Sequence, residues 1–372
     1  MHNRFKVSPT VFRLKRGTLV ERLAQSTLLF SEQDQQIHEL NQASEVLADR
    51  LSGGATEEQL AGELLGHGSE PDKVAGWVHT FLEEFARSGL LEADLIPVSA
   101  FAATQTLRVH DKLISLRYGS PELEQLLAPV FAHLSVSAAE TGEELELSDG
   151  GDLVFIGKLG GPASVVPRAS AAVRLKGLIL DKVLEAPEHL AALHAACLER
   201  CGKGLLLLGS PGAGKTTLTL ALMKLGFRYG SDDVTLVKPD GRVEGVALAP
   251  AVKEGAWELA EHHGLAKLPI HLRPDGQQVR YVPLGKEALS GPCRVEAVLR
   301  LQRDGHEPAL LEPISAKEGL AELFRESRSA SGRCSTDIMG ALAKLIRGAE
   351  CFGLRYSDAA AVAALVSERM GR

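Results

Sequence analysis

The stretch GLLLLGSPGAGKTT, residues 204–217, constrains the fold of this chain more than any other. Its run of leucines at 205–208 reads as a strand buried on both faces, hence as a member of a parallel sheet covered by helices. Residues 209–216 then fit G-x-x-x-x-G-K-[ST] without a mismatch, and residues 218–225 read as the helix that follows. Strand, glycine loop and helix in that order make a phosphate cradle. Gly209, Gly212 and Gly214 let the backbone turn sharply and point its N–H groups inward. The helix beginning near Lys215 adds the positive end of its dipole. Ser210, Ala213 and Thr217 complete the loop. Lys215 is expected on the β- and γ-phosphates, and the Thr216 hydroxyl on Mg²⁺. ATP and Mg²⁺ are therefore the expected cofactors. The loop reads phosphates and not bases, so GTP and pyrophosphate stay open as donors.

A length of 372 residues leaves room for roughly two or three domains and a full core. The formal net charge of −7 argues against a general nucleic-acid binder, because phosphate backbones want a basic surface. No stretch approaches the ~18 apolar residues of a membrane span. The start, MHNRFKVSPT, has no apolar run after its basic residues, so a cytoplasmic location is expected. Cys197, Cys201, Cys293, Cys334 and Cys351 show no metal-ligand spacing and read as reduced thiols, with Cys197 and Cys201 at a helix end. His262, His263 and His271 lack a carboxylate–histidine pattern, and no metal is expected there.

Residues 1–95 read as a small separate unit. Short strands are predicted near 11–14, 19–23 and 27–30, and helices near 37–51, 56–65 and 71–88. Thr56 to Gln59 form a capping box, Gly53-Gly54 break the first helix from the second, and Gly89 closes the third. Strands followed by three helices make a winged-helix-like module. In residues 96–185 a hairpin is predicted around His110-Asp111, a helix over 120–134, and strands at 145–147 and 153–155. No chemistry is expected in that segment.

The first module resembles the PqqD family of peptide-binding domains, also called RiPP recognition elements. The residues that carry the likeness are VFRLKRGTLVERL, IHELNQASEVLADRLSGGATEEQLAGEL and FLEEFARSGLLE. An alanine stands where the family often has a tryptophan. The resemblance implies a leader peptide added as an extra strand to the small sheet, with its side chains on the third helix. Physically this is β-augmentation.

After the loop and its helix comes FRYGSDDVTLVKPDGRVEGVAL. A strand at 227–229 ends at Asp232-Asp233, and strands at 234–237 and 243–248 form a hairpin around Pro239-Asp240-Gly241. One helix and one strand separate the aspartates from Lys215, so they can return to the phosphate site. Neighbouring strand-end residues point opposite ways, so one carboxylate can face the γ-phosphate and the other a metal or scaffold group. A carboxylate there could accept the proton of an attacking hydroxyl.

GSPGAGKTTLTLALMKLGFRYGSDDVTL resembles the HPr kinase/phosphorylase family and its serine-kinase relatives, as does the upstream EHLAALHAACLERCGKGLLLLG. The resemblance spans roughly residues 140–365. It implies an α/β P-loop kinase domain of HPr-kinase/PEP-carboxykinase-like type over 96–372, with its nucleotide-binding core at 186–372. It also implies Asp232 as the base on the acceptor hydroxyl and Asp233 near the phosphate and metal. His194, on an expected amphipathic helix ahead of the strand, would stand near the active site, and Lys253 could meet phosphate or acceptor. The chain lacks the downstream acidic–Ile/Val–Arg–Gly phrase of the bifunctional enzymes, which counts against the reverse reaction and against HPr as acceptor.

The combined expectation is an ATP-dependent kinase that phosphorylates a hydroxyl, such as serine, of a peptide or protein recruited by the N-terminal module. A small-metabolite kinase and a nucleotide-gated peptide-presenting protein are the alternatives. Nucleic-acid and membrane partners are not expected, and the oligomeric state is open.

Overall fold

The structure, a computed structural model, describes residues 10–32, 35–94, 98, 100–137, 140, 142–158, 160–186, 189–258, 261, 264–305, 307–329 and 333–370. The chain opens with β1 (Phe12–Leu14), β2 (Thr18–Arg22), β3 (Thr27–Ser31) and β4 (Gln36–Leu40). Helices α1 (Gln42–Ser52), α2 (Glu57–Gly66) and α3 (Pro71–Arg87) follow, then β5 (Leu91–Asp94). The next segment holds β6 (Ala103–Val109), β7 (Lys112–Tyr118), α4 (Pro121–Phe131), β8 (Glu143–Gly150), β9 (Leu153–Gly157), β10 (Pro162–Pro167) and α5 (Ala171–Leu184). Then come β11 (Ala191–His194), β12 (Ala196–Arg200), β13 (Lys203–Leu208), α6 (Lys215–Lys224), β14 (Arg228–Ser231), β15 (Val234–Val237) and β16 (Val243–Gly245). The chain continues through β17 (Ala251–Lys253), β18 (His271–Leu272), β19 (Gln278–Tyr281), β20 (Arg294–Arg303), β21 (Leu310–Pro313), α7 (Ala316–Glu326) and β22 (Ser327–Arg328). It ends with α8 (Thr336–Arg347), β23 (Glu350–Tyr356) and α9 (Ala359–Met370). Among the described residues no helix is long and apolar enough to cross a membrane.

The sheet that carries the glycine loop runs β14-β12-β13-β20-β23-β21, with β13, β20 and β23 parallel. Leu205 and Leu207 pack with α6 and α9 on one face. Leu206 and Leu208 pack toward α8, Leu323 and the β11 layer on the other. Side-chain alternation thus explains why all four leucines are needed: the strand has no solvated face. A four-stranded sheet, β16-β15-β11-β22, and a three-stranded one, β17-β19-β18, border the loop.

A seven-stranded sheet runs β1-β5-β10-β9-β8-β7-β6. Strands on both sides of residue 95 therefore share one sheet, and Phe12, Leu91 and Ala93 share a core with Phe155 and Val165. The separate small sheet, β2-β3-β4, precedes the three helices.

Local chemistry sets several boundaries. Thr56 and Gln59 make the reciprocal capping bonds at the start of α2. Residues 37–40, expected at the start of a helix, belong to β4, and α1 starts after Asn41, whose side chain accepts from the Ser44 N–H. Asp358 caps α9, accepting from the Ala360 and Ala361 N–H groups, while the neighbouring Ser357 hydrogen-bonds Glu307. Residues 191–200, read as a helix around His194 and Cys197, form β11 and β12. Their alanines favour a helix locally, but both strands are paired on two sides, and that tertiary pairing decides.

His271 on β18 is 1% exposed and packs at a tilt against Tyr281, 5.2 Å between ring centroids. Burial pushes its pKa down from 6.5 to about 4. The unfolded chain therefore takes up this proton first, and stability present above pH 6.5 is lost as pH falls toward 4. The gap is worth about 3 kcal/mol over that window. His271→Leu is expected to flatten the drop in Tm between about pH 7 and pH 5; an unchanged drop would place the acid sensitivity elsewhere.

Candidate active site

The glycine loop joins the C-terminal end of β13 to α6, at the carboxyl edge of the parallel strands where open α/β sheets bind ligands. Gly214 is the N-cap of α6 with φ 92°, a left-handed conformation that suits glycine. A Cβ there would also come within 2.4 Å of the Tyr356 hydroxyl. That hydroxyl donates to Ala213 O at 2.6 Å, so the end of β23 clamps the loop.

Lys215 is 8% exposed and donates to Gly209 O at 2.5 Å and to His194 Nε2 at 3.0 Å. Burial lowers its pKa. An ammonium at the loop mouth with no direct carboxylate partner among the described residues fits an anionic phosphate oxygen. Because an ammonium only donates, His194 Nε2 accepts and Nδ1 carries the proton. Nδ1 stands 3.0 Å from Asp233 Oδ1. Asp233, His194 and Lys215 thus form one hydrogen-bonded chain.

The two aspartates lie in different environments. Asp232 is 7% exposed, and the Thr216 hydroxyl donates to its Oδ2 at 2.9 Å. Tyr229 OH lies 2.9 Å from its Oδ1 and 2.7 Å from Leu248 O. That phenol has one proton for two acceptors. Burial raises the Asp232 carboxyl above its usual range, against the pull of Lys176. The Asp233 side chain is 62% exposed to the cleft, and its pKa is lowered, chiefly by the hydrogen bond from His194.

Around them lies a cleft of about 590 Å³. The loop residues Ser210, Gly212, Ala213, Gly214, Lys215, Thr216 and Thr217 line it, together with His194, Asp232 and Asp233, and Lys253. Gly209 stands at the loop's base and reaches the site through its carbonyl. Thr216 is paired with Asp232, whereas the sequence reading had set it beside Asp233 on a shared metal. His262 and His263 lie outside the described residues. Cleft groups absent from the sequence reading are Lys176, Arg273, Tyr281 and Arg303. For Lys176 a signal existed: Val173, Lys176, Gly177 and Leu180 recur at helical spacing.

No family model matches the chain, and no curated protein matches it. Among solved structures it has a weak likeness to the HPr(Ser) kinase/phosphatase from Coxiella burnetii. The likeness is 15% identical, covers 48% of this chain and 93% of that one, and has a TM-score of 0.25.

Tyr356→Phe removes the clamp on Ala213 O and leaves a buried carbonyl with one donor fewer. We expect a loss of about 1 kcal/mol in urea unfolding. Gly214→Ala adds left-handed strain and a clash, and should cost more, about 2 kcal/mol. Equal and negligible losses would show that the loop is not held in this way.

Proposed function

We propose that the cleft transfers the terminal phosphoryl group of Mg²⁺·ATP to a hydroxyl. One observation carries this reading: both aspartates meet the phosphate loop, Asp232 through Thr216 and Asp233 through His194 and Lys215. Lys215 is the group that would meet the γ-phosphate. Among the described residues no three His, Cys, Asp or Glu side chains converge as a cation site. A divalent ion would therefore draw on Thr216 and the Asp232 carboxylate, with phosphate oxygens supplying much of its shell. Bound there, it would neutralise charge on the phosphates.

The exposures support a division of labour. Asp232 has both oxygens engaged and belongs with Thr216 on the metal side. Asp233, ionised and open to the cleft, is the group placed to take the proton of the acceptor hydroxyl, with His194 holding it in position. In the transfer the bond from the γ-phosphorus to its bridging oxygen breaks, a bond to the acceptor oxygen forms, and ADP leaves.

We further propose that the N-terminal unit recruits a peptide or protein acceptor. Strands β2 and β4 are the outer strands of the small sheet, with Leu19, Leu23 and Ile37 exposed along it and Trp77 exposed on α3. Strand edges unpaired among the described residues, beside apolar side chains, suit addition of an extended segment.

The test uses γ-labelled ATP·Mg²⁺ and a lysate of the source cells. Asp233→Asn should reduce transfer by about 10²–10⁴-fold while metal-dependent ATP binding persists. Asp232→Asn should lower ATP affinity in Mg²⁺ and leave affinity in EDTA nearly unchanged. Bound ATP with no labelled product in any fraction would sink the reading and leave a nucleotide-gated binding protein.

A further inference from the structure

Helix α5 presents one stripe to the cleft, Val173, Lys176, Gly177 and Leu180. Lys176 donates to Ala249 O at 2.8 Å and lies 5.0 Å from the centre of the Tyr281 ring. Its place relative to Asp232 is defined by the chain of contacts. Asp232 Oδ2 faces Thr216 and the loop; Oδ1 faces Tyr229, which reaches Leu248 O, and the next carbonyl, Ala249 O, holds Lys176. Lys176 is thus joined to Asp232 through Tyr229 and the 248–249 backbone, and not through the phosphate loop. Arg273 lines the same cleft, within electrostatic reach of Lys176 and Tyr281.

Charge balance gives these cations a task. Five Lys and Arg side chains line the cleft against two carboxylates, in a chain whose net charge is −7. Lys215 serves the loop, and Arg303 lies beside Gly214. Lys253 closes β17, and Lys176 and Arg273, whose guanidinium also reaches Asp275 at 3.3 Å, remain for an acceptor beside the apolar wall of Tyr281, Leu248 and Leu180. Burial lowers the Lys176 pKa and Asp232 and Asp233 offset this only in part, so a further anion would be welcome there. Gly177 adds a second sign. It sits in the interior of α5, where alanine is more stable by about 0.5–1 kcal/mol, and a Cβ there would meet nothing within 4 Å. The protein's own packing does not require this glycine; close approach of a bound molecule would.

We propose that Lys176 and Arg273 hold an acid group of the acceptor, so that the phosphorylated hydroxyl lies a few bonds from a carboxylate or phosphate. This rests on the phosphotransferase reading above. The acid could belong to a free hydroxy acid or to an acidic side chain beside the hydroxyl in a peptide; both offer the same anion to the same corner.

The experiment compares matched acceptors with γ-labelled ATP·Mg²⁺: glycerate and glycerol 3-phosphate against glycerol, L-serine against serinol, and serine peptides flanked by Glu against peptides flanked by Lys. Acid-bearing acceptors should exceed their neutral or basic partners in kcat/KM by about tenfold or more, the worth of one charge-assisted contact. Preference among the free acids identifies a small-molecule acceptor, and preference among the peptides an acidic peptide. Lys176→Met and Arg273→Gln should erase most of that preference through the acceptor KM, and Lys176→Arg should restore part of it. Gly177→Ala guards against a folding artefact: Tm should rise while the acceptor KM also rises severalfold. Transfer without preference for the acid, or a preference that survives both cation variants, overturns the proposal alone. Absence of transfer to every compound, peptide and lysate fraction overturns the phosphotransferase reading beneath it.

Discussion

Everything near the cleft depends on β13 having no solvated face. Leu205 and Leu207 are covered by α6 and α9, and Leu206 and Leu208 by the opposite layer, so the strand can only sit inside a covered parallel sheet. A parallel neighbour delivers its own C-terminal end to the same edge. The glycine loop, Arg303 at the end of β20 and Tyr356 at the end of β23 thus emerge side by side. The hydrogen bond from Tyr356 to Ala213 O is a product of that arrangement, not a separate device.

At this edge the structure accepts electrostatic costs. Asp232 and Lys215 are nearly inaccessible, and burial works against the charge on each. Directional hydrogen bonds from Thr216, Tyr229 and to His194 offset part of that cost and fix the groups in place. A site built this way is stable enough to form yet incompletely compensated, a state that favours ligands of complementary charge.

Much of this core was legible because its signals were local. The loop pattern, the aspartate pair at a strand end and the capping box at Thr56 each rest on residues close together in the chain. What was not legible depended on distant pairing. Residues 191–200 are alanine-rich and short, and only β13, β14, β15 and β22 make them strands. With the helix reading, His194 had no defined direction; on β11 it spans Lys215 and Asp233. Tyr229 and Lys176 reach the site through carbonyls at 248 and 249, contacts that no spacing in the sequence encodes.

The pairing of β5 with β10 bears on how any recruited chain would be presented. A recruiting unit on a flexible tether raises local concentration but leaves the distance to the reaction centre free. Here β1 and β5 are hydrogen-bonded into the same sheet as β6 to β10, and the Arg13 guanidinium pairs with Asp94 across the two outer strands. The small sheet is therefore anchored to a continuous β-structure instead of a linker. A segment docked on it would span a fixed gap to the cleft, and the number of residues between the docked strand and the modified hydroxyl would act as a ruler.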